Sequence, residues 1–124
     1  MKPPRMTEAQ LQSAVMELAR VLGWRAVHFR PAIDRSGRWS TPTQGAIGFP
    51  DCVLVRGTRL VFAELKSTDG RVSPQQAAWL RDLYVAGVEA YVWRPSSWLD
   101  GTIEETLRST VAPRATLPPT REIA

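Results

Sequence analysis

The chain has 124 residues, enough for one domain with a single core, and its 44% hydrophobic and 23% charged content is ordinary for a soluble globular protein. No apolar run approaches the roughly 20 residues that cross a bilayer, and a lone cysteine, Cys52, excludes an internal disulfide and a cysteine-rich zinc site. A net charge of +4 and a pI near 10.0 permit a polyanionic partner without requiring one.

Thr7 to Leu22 is predicted to be a helix, with Thr7 as N-cap, an apolar stripe of Leu11, Val15, Leu18 and Leu22, and Gly23 as its end. The start, Met1-Lys2-Pro3-Pro4-Arg5, shows no cleavable signal pattern, so a cytoplasmic location is expected. Arg25 to Arg30 reads as a short strand. Pro31 to Gly48 is rich in Ser, Thr, Pro and Gly, and its length in a compact domain points to a binding or mobile loop. Five arginines between Arg20 and Arg38 face a single acid, Asp34. Arg30, Arg35 and Arg38 are therefore candidate phosphate contacts, or a solvated loop face. Trp39 is suited to stack on an unpaired base or to anchor the loop.

Asp51–Val55 and Leu60–Lys66 are two strand-like runs around Arg56-Gly57-Thr58-Arg59, where Gly57 suits a two-residue type II′ hairpin turn. Ser73-Pro74 opens a second helix, with Trp79, Leu80 and Leu83 inward and Gly87 closing it. Val88–Trp93 is a strand and Thr102–Ser109 a short helix; Trp93 and Trp98 read as core or interface. The expected domain spans residues 7–110, followed by a proline-containing tail at 111–124 that is poorly ordered or an arm for a partner. The order implies an α/β sandwich around a small mixed sheet.

A turn centred between Gly57 and Thr58 pairs Arg56 with Arg59 and, by the same count, Asp51 with Glu64. Directly opposed residues share a sheet face, with Cβ atoms about 4.5–5.5 Å apart. Two opposed carboxylates repel, and a divalent cation between them reverses that sign; Mg²⁺ takes one or two carboxylates plus waters and phosphate oxygens. Lys66, one of only two lysines in a chain otherwise written in arginine, projects from the same face as Glu64. A lysine there can hold a water nucleophile or contact a phosphate. Leu60 and Phe62 are expected to build the core beneath the site, and Val61, Ala63 and Leu65 to cover the opposite face. On the first helix, Glu8 extends the buried stripe and Gln12 lies one turn on, whereas Glu17 points away into solvent.

Each of these residues also has a plainer reading. Asp51 alone suits a strand end, and Glu64 with Lys66 suits an exposed ladder pair, although the Val-Phe-Ala-Leu run around them reads as a buried strand. Gln76 completes a capping box with Ser73, serves a site, or does both. Asp69 before Gly70 is a turn former, and Cys52 a small buried hydrophobe. His28, the only histidine, is either a structural hydrogen-bonding residue or a DNA contact beside the loop leading to Asp51.

Gly48-Phe49-Pro50-Asp51 followed by Glu64-Leu65-Lys66 resembles the PD-(D/E)xK nuclease signature. With Glu8-x-x-x-Gln12 before it and Ser73-Pro74-x-Gln76-x-x-Trp79 after it, the pattern is most similar to the virus-type replication-repair nuclease family, VRR-NUC, over residues 7–95. The resemblance implies a restriction-endonuclease-like αβββαβ sandwich with a small mixed central sheet and a site using Mg²⁺ or Mn²⁺. It makes Asp51, Glu64 and the Leu65 carbonyl metal ligands, Lys66 the catalytic lysine, Glu8 an accessory acid and Gln76 an accessory polar group. It implies an endonuclease acting on branched DNA, such as Holliday junctions or flaps, in replication or repair in a bacterial or phage-infected cell; stand-alone members of the family look homodimeric, and the residues of this chain leave its oligomeric state open. The Pro31–Gly48 insertion departs from a compact member and puts substrate preference in question. The alternatives are a catalytically silent nuclease fold that binds DNA and an adaptor whose basic loop docks a protein.

Overall fold

The computed structural model describes residues 5–29 and 47–113, together with the backbone of 32–33 and 39–40. In chain order the elements are α1 (Glu8–Val21), β1 (Arg25–His28), β2 (Ala32–Ile33), β3 (Trp39–Ser40), β4 (Cys52–Arg56), β5 (Arg59–Leu65), α2 (Pro74–Val85), β6 (Glu89–Trp93), α3 (Pro95–Leu99) and α4 (Thr102–Arg108). A four-stranded mixed sheet runs β1-β4-β5-β6, antiparallel except for the parallel β5–β6 pair. Within that sheet the order is αβββαβ, as predicted. The connection at 31–48 is not structureless: β2 and β3 pair antiparallel, with Ala32 opposite Ser40 and Ile33 opposite Trp39. Arg30, Arg35, Arg38 and the Trp39 side chain lie outside the described residues, as does the tail beyond residue 113.

Both long helices begin with the capping their sequence prescribes. The Thr7 hydroxyl accepts from the Gln10 N–H at 3.1 Å while Gln10 Oε1 accepts from the Thr7 N–H at 2.9 Å, and Ser73 and Gln76 repeat the arrangement on α2. On α1 the fully buried positions are Leu11, Val15 and Ala19, with Leu18 and Leu22 half-buried at the margin, so the inner face is rotated slightly from the predicted stripe.

The hairpin has the expected register: Arg56 pairs with Arg59 and Cys52 with Ala63. Gly57 takes φ +59° and, among the described residues, only glycines have positive φ, so Thr58 does not, which selects a type II′ over a type I′ turn. Strand alternation then sends Leu54, Val61, Ala63 and Leu65 into one core with α1, Trp93, Ile103 and Leu107. Burying each of the larger side chains contributes roughly 1.5–3 kcal/mol. The opposite face meets α2 through Leu80, Ala90 and Val92.

Leu60 departs from expectation. It does not build the core but stays 38% exposed, as do Val55 at 41% and Val27 at 47% on the same sheet face. The α2 core draws its buried strand residues from β6, and the turn end of the hairpin lies beyond that cover. Arg59, on the other face, is buried instead. It forms a bidentate pair with Glu89 at 2.6 and 3.1 Å and donates to the Thr106 and Ser109 carbonyls, while Arg56 reaches the Leu22 and Ser109 carbonyls. Both guanidinium groups lie over Trp24, whose indole N–H donates to the Leu107 carbonyl. The arginines flanking the turn thus clamp the C-terminal end of α4 to the sheet.

Candidate active site

The end of the sheet opposite that clamp carries the acids. Continuing the ladder one step past Cys52 and Ala63 sets Asp51 against Glu64. Asp51 Oδ2 accepts from the Leu65 backbone N–H at 3.0 Å, and the Phe29 N–H donates to the Asp51 carbonyl at 2.8 Å, so both neighbouring strands hold it. Glu64 is 2% exposed. Its Oε1 accepts from Gln76 Nε2 at 2.9 Å and faces Lys66 Nζ at 3.7 Å; its Oε2 is buried with no donor. Burial, the charge of Asp51 and a hydrogen bond the two carboxyls can share only when one is protonated push the Glu64 pKa up to about 8, with Lys66 opposing.

Gln76 caps α2 and also reaches Glu64. Its carbonyl oxygen accepts from the Ser73 N–H and its amide nitrogen donates to Glu64, so flipping the amide breaks both bonds. Gly48 brings this turn of α2 within reach. At φ +86° it packs so tightly that an added Cβ would sit 2.6 Å from the Gln75 carbonyl carbon and 2.7 Å from the Gln76 nitrogen. The Phe49 ring, edge-on to Phe29, Phe62 and Trp79, pins the same segment down.

An open cleft of about 630 Å³ runs between the start of α1 and this sheet end, with Glu8, Gln12, His28, Asp51 and Leu65 on its walls. Glu8, on the rim, is raised above the ordinary carboxylate range by partial desolvation first and by Asp51 second, with Lys66 opposing. Glu17 pairs with Arg20 in solvent, as expected. Cys52, buried beneath the acids, has its thiol pushed up to about 12 by burial and then by Asp51 and Glu64, which leaves it an inert core residue.

Asp51, Glu64, Lys66 and Gln76 are therefore brought together, with Glu8 across the cleft, and His28 lies on the α1 side. Sequence reading gave no site role to three residues that shape these surroundings. Gln12 Nε2 lies 2.8 Å from His28 Nδ1, a contact signalled only by Gln12 following Glu8 by one helical turn. Arg94 donates to the Ser67 and Gly70 carbonyls, both at 2.7 Å, and orders the turn after Lys66; nothing local in the sequence announces it. Arg5 pairs with Asp69 at 3.0 Å and ties the approach to α1 to that turn.

Among the described residues no three His, Cys, Asp or Glu side chains form a ready-made metal cluster. What is present is a carboxylate pair with one orphaned oxygen, and that donor set fits a hard divalent ion completed by water and phosphate oxygens.

An αβββαβ sheet with an opposed acidic pair at its end is a restriction-endonuclease-like α/β fold. Residues 10–96 match the VRR-NUC domain, and the chain belongs to that family, a nuclease family. No curated protein matches the chain.

Proposed function

We propose that this chain is a divalent-metal-dependent endonuclease that hydrolyses phosphodiester bonds of branched DNA. The observation that carries the reading is Glu64: a buried carboxyl set against Asp51, with one oxygen left without a donor. Such an arrangement is costly in a purely structural sheet and becomes favourable once a cation lies between the acids.

Asp51, Glu64 and the Leu65 carbonyl would hold Mg²⁺ or Mn²⁺, which supplies Lewis acidity to the phosphoryl oxygens and makes bound water more acidic. The remaining work falls to the chain's own groups. The Lys66 ammonium orients the attacking water and offsets negative charge as its oxygen approaches phosphorus and the bond to the leaving oxygen breaks. Glu8, with raised proton affinity, is placed to take the proton that water gives up. Gln76 holds Glu64 in its orientation. The starts of α1 and α2 both lie at this end of the sheet, so two helix N-termini add positive potential where a phosphate would sit. Arg30, Arg35, Arg38 and Trp39 are proposed DNA contacts on sequence grounds. A homodimer would present two sites for cutting a junction symmetrically.

The test is plasmid nicking with Mg²⁺ or Mn²⁺ against EDTA, then cleavage of flap, splayed-arm and four-way substrates. Wild-type protein is expected to cut only with metal and to prefer branched substrates. Asp51→Asn and Lys66→Ala are each expected to lose at least about 10²-fold in rate with DNA affinity retained. Unchanged cutting by either folded variant overturns the site assignment. DNA binding without any cutting by wild type would favour the silent-module alternative.

A further inference from the structure

Lys66 is held along its stem rather than at its head. Its ammonium lies 3.7 Å from Glu64 Oε1, too long for a hydrogen bond, yet its side chain is only 15% exposed. It is also the first residue past the end of β5, where strand pairing alone no longer sets its direction. The chain around it takes over. The Lys66 N–H donates to the Trp93 carbonyl at 3.0 Å, which carries the β5–β6 pairing one step further. The residues after it then fold back, and the Gly70 N–H donates to the Ser67 carbonyl at 3.3 Å, closing a four-residue turn.

Gly70 shows how close this turn comes to the lysine. A Cβ added there would sit 3.5 Å from Lys66 Cδ, an ordinary van der Waals contact, and 2.9 Å from Ser67 Oγ. The turn therefore forms a wall for the stem. Left to itself it would be a weak wall, closed by one long hydrogen bond and carrying exposed Thr68 and Asp69 at its tip. Arg94 strengthens it. Arg94 directly follows Trp93, the residue that receives the Lys66 N–H, and its Nη1 donates to both the Ser67 and the Gly70 carbonyls at 2.7 Å. A single charged nitrogen thus joins the two ends of the turn, and charge-assisted bonds of this kind are stronger than neutral ones. The Arg94 N–H in turn donates to Ser97 Oγ at 3.3 Å, where β6 passes into α3, so the clamp is seated between two regular elements.

A lysine stem turns about four bonds, and an unrestrained ammonium spends little of its time facing any one point. Holding a reacting group in place beforehand raises the rate of the bound complex rather than its affinity. We propose that Arg94 is the positioning residue for Lys66: by tying the Ser67 and Gly70 carbonyls together it holds the turn against the lysine stem and keeps the ammonium at the mouth of the acidic pair. The inference rests on the nuclease reading, in which that ammonium orients the attacking water. It assigns the end of β6 a part in the site, although Arg94 itself touches neither acid nor substrate.

Two measurements on the full chain test it, one of them without DNA. Lys2 and Lys66 are the only lysines, so protein carrying ¹³C- and ¹⁵N-labelled lysine gives two side-chain signals, and Lys2→Arg identifies the one from Lys66. Arg94→Met keeps an unbranched stem and removes both bonds to the turn. It should lower the order parameter of the Lys66 ε-methylene by about half. Single-turnover cleavage of a labelled branched DNA at rising protein concentration then separates the saturated rate from half-saturation. Arg94→Met should slow the saturated rate about tenfold with half-saturation held within about threefold. Arg94→Lys, whose ammonium can also donate to two carbonyls but ends one bond short, should recover part of the rate. Arg59→Ala, which loosens the far end of the sheet, is the control for general destabilisation and should leave the Lys66 signal as in wild type.

An unchanged Lys66 signal in Arg94→Met, an unchanged saturated rate, a loss confined to half-saturation, or the same loss of order in Arg59→Ala would each overturn the inference. Should Arg94→Met fail to fold, Arg94→Gln, whose amide ends two bonds short of the carbonyls, takes its place under the same readings. A wild-type chain that cuts no DNA with Mg²⁺ or Mn²⁺ removes the nuclease reading, and the catalytic sense of this inference with it; wild-type cutting that is indifferent to Arg94 removes this inference alone.

Discussion

Replacing Glu64 by Gln tests the central claim without needing a substrate. In the metal-free protein the Glu64 pKa is raised from 4.5 to about 8, so between those values the folded state keeps a proton that the unfolded chain has lost. The sign follows: stability falls as pH rises through that window, by at most about 1.4 kcal/mol per pH unit for one whole proton. Water entering the site as the acid ionises reduces this, and the expected loss attributable to Glu64 is about 2 kcal/mol between about pH 5 and pH 8. Glu64→Gln removes the charge yet keeps an oxygen for Gln76 Nε2. Urea unfolding of both proteins in EDTA should therefore show stabilities that agree near about pH 5 and separate toward about pH 8, with the variant more stable. Saturating Mg²⁺ should reverse the order, stabilising the wild type by about 2–3 kcal/mol and the variant far less. Parallel stability curves in EDTA, or equal stabilisation by Mg²⁺, would mean that Glu64 is not a strained, unsatisfied acid and that the reasoning fails.

Gln76→Glu keeps an acceptor for the Ser73 N–H but sets a third carboxylate on Glu64; metal-free stability at about pH 8 should drop by about 1–3 kcal/mol, measured by the same unfolding curves. Gly48→Ala meets both a positive φ and the α2 backbone at 2.6 Å, whereas Gly57→Ala meets a positive φ with nothing within 4 Å. The first should cost more than about 2 kcal/mol and lower the cleavage rate by displacing Gln76; the second should cost about 1 kcal/mol and leave cleavage intact. Arg59→Ala removes a buried guanidinium and leaves the partly buried Glu89 without its ion-pair partner; it should destabilise by about 2–4 kcal/mol in calorimetry, while cleavage per folded molecule, measured at low temperature, stays unchanged because the clamp lies at the far end of the sheet.

Local rules made most of the frame legible. Gly57 fixed a turn, the turn fixed a register, and the register set Asp51 against Glu64 without any tertiary information. Capping boxes at Thr7 and Ser73 located two helix starts. What stayed hidden was tertiary. Alternation alone separates the faces of β5 but does not say which is deeper, so Leu60 reads as core and Arg59 as a polar turn residue, the reverse of what the packing of α4 and α2 produces. The Arg59–Glu89 pair spans 30 residues and the Arg59–Ser109 contact 50, beyond any local pattern. The five-residue α3 and two-residue β2 and β3 are too short to show periodicity. Gly48 stands out by residue type, but its reason is the approach of α2, which belongs to the fold.

The two glutamates of the sheet, Glu64 buried and Glu89 partly buried, make a controlled comparison. Glu89 is satisfied on both oxygens: Oε1 accepts from Arg59 at 2.6 Å and Tyr91 at 2.7 Å, and Oε2 accepts from Arg59 at 3.1 Å. Glu64 has one neutral amide, a lysine too distant at 3.7 Å for a hydrogen bond, and an oxygen with no donor. The chain is rich in arginine and uses it where a partly buried carboxylate serves stability. At the other end of the same sheet it withholds arginine, adds a second acid, and orients both with neutral N–H groups, so that Lys66, 3.7 Å from Glu64, only partly offsets their charge. Neutral donors fix geometry while preserving negative potential, and a site preorganised in that way is suited to a small multivalent cation rather than to a salt bridge. The contrast lies within one molecule, so it owes nothing to composition or coding bias.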